Sequence, residues 1–455
     1  MKSNFFFLVL ASFFVFSLTI FAGCKKSELL DPKNPITLTL WHPYEQRMRA
    51  GMDELINEFN STVGANRGII IRDSFVAETS EISKALIAGA DGVPGAPELP
   101  DIAVVYPGVA IIMAEKGLLV DLTTLFNETE LSGYVPEFLE EGKLNGTFYI
   151  MPVTKSTEVM FINATIFNRF ANEVEGVSLS RLETFEGILE IAEKYYKWSG
   201  GKAFMYYTDL FNYTLTGFNQ LGGNFLAESR YNLSSPVFQR VWDGYFPLAV
   251  KGGLAIFGSF GSHLMATGET VCILDSTASI SFLSGTVTYA DNTKEDYELE
   301  ILPYPVFKGG EKAAVQQGPG MCVFKSDVKK EYAASIFLKW FTEPEQNLRF
   351  TVGIGYMPVT ISAFNDFLAS TQPETRMPVN ITNNNIIKLL DTVVEMQKNY
   401  RFHYPPVIDG IEAMRWDYAR ALRTSAENVR QEYLRGTTYE TLSSGVLENF
   451  INGLR

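Results

Sequence analysis

The sequence predicts an α/β protein with room for two lobes, and three observations carry that reading. From Ile36 onward, strand-like segments with an apolar residue at every second position alternate with segments whose apolar residues recur at helical spacing. The chain beyond an N-terminal leader is long enough for two globular lobes and excludes one small domain. A polar stretch over 152–158 then separates the first group of elements from a second.

Ile36-Thr37-Leu38-Thr39-Leu40 is the first strand. After Trp41-His42-Pro43, the residues Met48, Met52, Leu55, Ile56 and Phe59 mark one helix face, and Ile69-Ile70-Ile71 marks the next strand. A second helix uses Ile82, Leu86 and Ile87, with Thr79 or Ser80 to cap it. The Gly- and Pro-rich loop 92–97 leads to a strand over 101–106 and a third helix ending near Gly117. Successive βα units of this length imply a parallel sheet covered by helices. Ligands bind beyond the carboxyl ends of such strands, which places Trp41, His42 and Tyr106 at the expected edge. Asn145-Gly146 is a hairpin turn between 142–144 and 147–151. The run 158–163 opens the second lobe, whose helices include 182–198 and 236–245. The strand 271–274, entering Asp275-Ser276-Thr277, reads as the return to the first lobe. Residues 329–341 form an amphipathic helix, and the chain from Ile408 is helical and polar-faced.

The start of the chain points to a compartment. Lys2 precedes an apolar run over 5–20 that is too short for a membrane span, so residues 1–23 are expected to be a signal peptide. Its end, Phe21-Ala22-Gly23-Cys24, resembles a bacterial lipobox, with Cys24 as the lipidated residue and 24–35 as an anchor linker. Two or three acyl chains, at about 0.8 kcal/mol per buried methylene, hold a protein durably at a bilayer. The formal net charge of −14, with no dense basic run after Lys26, argues against a nucleic-acid partner. Cys272 and Cys322 lie in apolar strand-like segments and are expected to be buried thiols, with a disulfide as the alternative.

Taken in order, several motifs resemble the extracellular solute-binding proteins of family 1, the group that contains maltose-binding and glycerol-3-phosphate-binding proteins. They are Leu40-Trp41-His42, Glu58-Phe59-Asn60, Pro100-Asp101-Ile102 and the stretch from Glu115 to Leu122. Further along come Gly142-Lys143-Leu144-Asn145-Gly146, Met151-Pro152 with Ser156-Thr157 and Asn163, Leu221-Gly222-Gly223, Phe337 to Glu345, and Gly355-Tyr356-Met357-Pro358-Val359. The resemblance implies a type II periplasmic-binding-protein-like fold. Two discontinuous α/β lobes would be joined by crossing segments and would close on solute like a hinge. The first lobe would take 36–149 and 285–340, and the second 150–284 and 341–455. It also implies the substrate-binding component of an ABC importer, a monomer that captures a carbohydrate or polyol outside the cytoplasmic membrane and hands it to permease subunits. The membrane itself would be reached through lipid on Cys24.

Sugar sites combine aromatic platforms with polar groups able to make several hydrogen bonds. Trp41, His42 and Tyr106 meet that description at the first lobe's edge. The resemblance adds Ser156 and Thr157 on the first crossing segment, Asp275 and Ser276 on the next, the turn Gly318-Pro319-Gly320, and Tyr356. Asp209 stands where the glycerol-phosphate binders carry Trp, and Pro107 where they carry a ligand-contacting Glu. No Arg stands just before Gly410, where their phosphate-contacting one is expected, so a neutral sugar is favoured over glycerol phosphate. No cofactor or metal is expected: His42, His263 and His403 are not spaced as zinc ligands, and no nucleophile, P-loop or dinucleotide motif appears. The alternatives are a lipid-anchored glycoside hydrolase using Glu158 and Asp275 across a cleft, and a surface adhesin or signalling partner that keeps the fold.

Overall fold

The computed structural model describes residues 29–75, 79–227, 229–256, 258, 260–369, 383–408 and 410–454. The expected signal peptide and Cys24 lie outside them. The strands of the two main sheets are, in chain order, β1 (Ile36–His42), β2 (Ile69–Phe75), β3 (Ile102–Val105), β4 (Met151–Pro152), β5 (Ser156–Asn163), β6 (Met205–Tyr207), β7 (Cys272–Ser276), β8 (Leu299–Leu302), β9 (Ala313–Gln317), β10 (Gly320–Val323) and β11 (Arg401–His403). The helices that position the site are α1 (Gln46–Phe59), α2 (Thr79–Ala90), α3 (Pro107–Glu115), α4 (Leu210–Gln220), α5 (Val328–Phe341), α6 (Pro344–Val352) and α7 (Ile411–Leu434).

The first sheet has the order β2-β1-β3-β10-β4. Its βα half is parallel as expected, with Ile36 opposite Ile69 and Leu40 opposite Ile102. The other half is not, because β10 arrives from the far lobe and runs antiparallel to β3, with Gly320 opposite Val105. The predicted face of α1 is buried throughout: Met48, Met52, Leu55, Ile56 and Phe59 all join the core beneath the sheet. Each such side chain contributes about 1.5–3 kcal/mol relative to exposure. Ile82 and Leu86 of α2 pack on the opposite face with Trp41 and Val105. Asn145 and Gly146 both take positive φ, as a two-residue hairpin requires.

The second sheet has the order β11-β9-β5-β7-β6, with β8 also paired to β5. All eight residues of β5 are buried, so this strand needs partners along both edges. That need explains where the sequence reading departs from the structure. Residues 285–340 were expected in the first lobe, yet β8 and β9 pair with β5, and only β10 and α5 return to the first sheet. The strand read as the return to the first lobe is β7, which stays in the second sheet between β5 and β6. The chain reaches the first lobe only in the helical turn Thr277–Phe282, where Ala278 joins that lobe's core. Residues 341–455 likewise divide. Helix α6 lies against α1, tied by Arg349 to Glu54 and Glu58, while Asn384–Asn399 and α7 pack on the second lobe. Hydrophobic period names an element's buried face but not its neighbour, and these boundaries depend on the neighbour.

The chain therefore passes between the lobes at 153–155, at 318–319 and again between α6 and Asn384–Asn399, while 277–282 touches the first lobe between two strands of the second. The stretches 153–155 and 318–319 run side by side. A Cβ on Gly318 would collide with the Thr154 carbonyl oxygen, and one on Gly320 would lie 2.6 Å from that of Met151. Asn347 of α6, wholly buried, ties the first crossing to the loop after α6, donating to the Val153 carbonyl and accepting the Val359 N–H, both at 2.8 Å. Cys272 and Cys322 are free, buried thiols in different sheets.

Candidate functional site

The two lobes meet where their strands end. From the first lobe come Tyr106, at the N-terminus of α3, and Gly108 of that helix. From the second come Gln317, at the end of β9, and Glu412 and Arg415 on the first turns of α7. Together with Glu141 these residues enclose a cavity of about 30 Å³, one water's worth of space, where drug-sized ligand sites span roughly 300–1,000 Å³. The lobes thus stand closed on each other, and a solute enters by parting them.

Beneath this cavity lies a charged wall supplied by the second lobe. Asp209 caps α4, accepting the Asn212 N–H at 2.9 Å, and its other oxygen receives Arg415 Nη2 at 2.6 Å. Asn212 Nδ2 donates to Glu158 Oε1 at 2.8 Å and to Gln317 Oε1 at 3.3 Å. Burial, with Asp209 and Asp275 nearby, pushes the Glu158 carboxyl well above its usual range. Burial likewise raises Asp275 to about 6, against the Ser276 N–H, which donates to its Oδ1 at 2.7 Å. Glu158 and Asp275 do not face each other across the cleft, as a hydrolase would need. They sit on adjacent strands of one sheet, with Ser276 directly opposite Glu158.

The other expected residues are placed as follows. Tyr106 and Tyr356 come together, and burial, with each phenol beside the other, raises both. Ser156 and Thr157 face the ladder to β9, their hydroxyls donating to the carbonyls of Gln317 and Val315 at 3.1 and 2.7 Å. Ser276 caps the turn that follows it, accepting the Ala278 N–H at 3.3 Å. Gly318 and Gly320 are glycines because backbone of the neighbouring crossing occupies the space a side chain would take. Trp41 packs among core residues of the first lobe.

His42 is fully buried, and its Nδ1 accepts the Tyr44 N–H at 3.2 Å. Its Nε2 points toward Asp73 at 3.6 Å, and ligand atoms of His42, Asp53 and Asp73 lie within 4.8 Å of one another. This trio from β1, α1 and β2 was invisible in the spacing of histidines. It does not fit a metal: with Nδ1 accepting, the proton of the neutral ring is on Nε2, the atom that would have to ligate.

Arg415 is the residue that sequence reasoning missed. A cation was sought just before Gly410, but that glycine has φ 72° and precedes α7, so the cleft-facing positions begin after it. Glu412 and Arg415, three apart, share a helix face that turns toward Tyr106 and Gly108. Their spacing on a predicted helix was the available signal.

A polar site enclosed between two lobes that exchange three crossing segments is the architecture of a hinged solute-binding protein. The chain belongs to the bacterial extracellular solute-binding proteins, whose family model matches residues 54–376. No curated protein sequence matches it. Among solved structures it is similar to the cyclic alpha-maltosyl-1,6-maltose binding protein from Arthrobacter globiformis, at 18% identity and TM-score 0.67, covering 92% of this chain and 99% of that one. It is also similar to UgpB from Mycobacterium tuberculosis in complex with glycerophosphocholine, at 17% identity and TM-score 0.68, covering 92% and 97%. An ABC substrate-binding protein from Listeria monocytogenes in complex with cycloalternan has 16% identity and TM-score 0.64, covering 92% and 100%. These likenesses show the type II periplasmic-binding-protein fold. Among the described residues no helix is long and apolar enough to cross a membrane.

Proposed function

We propose that the chain is the substrate-binding component of an ABC importer, which captures a carbohydrate or polyol between its lobes and presents the closed form to a membrane permease. The observation that carries this reading is the closed cleft itself, where Tyr106 and Gly108 of one lobe meet Gln317, Glu412 and Arg415 of the other. A solute seated there touches both lobes only when they are shut, so its differential affinity drives closure. We also propose that Cys24 anchors the mature protein outside the cytoplasmic membrane.

The grounds for favouring a neutral sugar over glycerol phosphate change. A cation is present, but among the described residues lining the cavity Arg415 is the one base, and Asp209 already neutralises it, while Lys155 nearby is paired with Glu141. A phosphate dianion therefore finds no unpaired cation in the cavity lining. The test is a thermal-shift screen of neutral mono- and disaccharides, polyols and glycerol-3-phosphate. A ligand at 100 times its Kd adds about 2.7 kcal/mol of stability. Uncharged solutes should raise the midpoint, whereas a rise with glycerol-3-phosphate alone overturns the ligand class.

A further inference from the structure

Arg415 is the one base among the described residues that line the cavity, and the way it is held decides what it can recognise. Its guanidinium offers five N–H donors in a planar fork. The one hydrogen bond it makes among the described residues runs from Nη2 to Asp209 Oδ2 at 2.6 Å. The group also lies over the Phe211 ring, 5.7 Å from its centroid. Asp209 is fixed in turn, because its other oxygen caps α4 by accepting the Asn212 N–H at 2.9 Å. The side chains of Arg415 and Asp209 are 20% and 27% exposed, so the pair is a placed, largely enclosed group whose charges cancel. Gln317 stands in the same lining with its Oε1 engaged by Asn212 and its amide hydrogens without a partner among the described residues. The carboxylates of the lining are committed elsewhere or turned across the cleft: Glu141 pairs with Lys155, and Glu412 Oε1 points toward Gly108 of the first lobe.

We infer that Arg415 gives two of its unused N–H groups to neighbouring hydroxyl oxygens of the solute, and that Asp209 makes the site select an uncharged vicinal diol over a carboxylate or phosphate. The fork suits two adjacent oxygens whether or not they carry charge, so its geometry alone does not separate the two classes. Charge separates them. An anion on the fork would share its cation with Asp209 and lie one guanidinium away from that carboxylate, with Glu412 in the same lining. A diol accepts from the fork without competing for its charge, and its own hydrogens find acceptors in the Glu141 and Glu412 carboxylates. Asp209 is not among the residues that line the cavity, so it is a positioning residue that acts through Arg415. This inference rests on the carbohydrate reading above and narrows it.

The test compares matched probes by calorimetric titration at pH 7: glucose against glucuronate, galactose against galacturonate, maltose against maltobionate, and glucitol against gluconate. The neutral member of a pair should bind the unsubstituted protein about tenfold or more tightly than the acid, and Asp209→Asn should move that ratio about tenfold or more toward the acid. Asparagine caps a helix as well as aspartate does, so the variant keeps the start of α4 and loses only the charge. A merely structural role for Asp209 would weaken both members together and leave the ratio in place. Arg415→Lys, which keeps the charge and loses the fork, should weaken the neutral member about tenfold. A ratio unmoved by Asp209→Asn overturns the inference and leaves the carbohydrate reading standing. So does an unsubstituted protein that prefers the acid, or an Arg415→Lys protein with undiminished affinity for the neutral member. Binding of no member by the unsubstituted protein overturns both. The unsubstituted ratio and Arg415→Lys decide the matter even where Asp209→Asn fails to fold.

Discussion

Replacing Gly108 by alanine should open the cleft without weakening either lobe. Gly108 is the second residue of α3, and its φ is not in the left-handed region, so alanine is conformationally free there and adds up to about 1 kcal/mol of helix propensity. The new Cβ would stand 2.6 Å from Glu412 Oε1 and 2.8 Å from Glu412 Cγ, on the opposite lobe. A terminal oxygen alone could swing aside. The Cγ is held close to the α7 backbone, so relief requires an unfavourable rotamer or displacement of the helix. Overpacking of this kind costs about 1–3 kcal/mol, and here the cost falls on the closed form alone, because opening separates the two residues. The open form should therefore gain roughly 5- to 150-fold in relative population, and affinity for the solute found by the screen should fall by the matching loss of the closed state. X-ray scattering of the unliganded variant should give a radius of gyration no smaller than that of the unsubstituted protein. Saturating solute should then compact it only at higher concentration. The melting midpoint of the unliganded protein should hold or rise. A lowered midpoint with unchanged affinity would refute the reasoning and make Gly108 an ordinary packing position.

Two further outcomes are expected. Asp275 is an acid whose folded pKa of about 6 lies above its ordinary 3.8, so the folded state holds this proton more tightly than the unfolded one. The stability this confers is full below about pH 3.8 and is lost as pH rises to about 6, a change of about 3 kcal/mol. Asp275→Asn should remove that slope, and urea unfolding of both proteins at pH 4 and pH 7 should show the variant gaining relative stability at the higher pH. A constant difference would show that Asp275 does not titrate this way. For the proposed anchor, the mature protein should partition into detergent and Cys24→Ser should release it to the aqueous phase without lowering its melting midpoint; a variant that stays in the detergent phase removes the anchor.

The sequence by itself determined whatever is written in local period and turn chemistry. The α1 face from Met48 to Phe59, the strands at Ile36 and Ile69, and the Asn145-Gly146 hairpin each followed from residues within one or two turns of each other, because burying an apolar stripe imposes its own spacing. The order of motifs along the chain added the two-lobed class, and the strand pattern put Tyr106 at an edge where it lines the cavity. Only the tertiary structure decided which sheet each later strand joins. The place of β8 and β9 beside β5 depends on the edges that β5 leaves open. The charge of the cleft was hidden for the same reason. Arg415 and Asp209 stand 206 residues apart, and Glu158 and Asp275 come from strands paired in register rather than neighbours in sequence. A helix period constrains side chains a few residues apart, whereas the electrostatics of a cleft is set by groups that folding alone brings within a few ångströms, where a buried charge must find its partner.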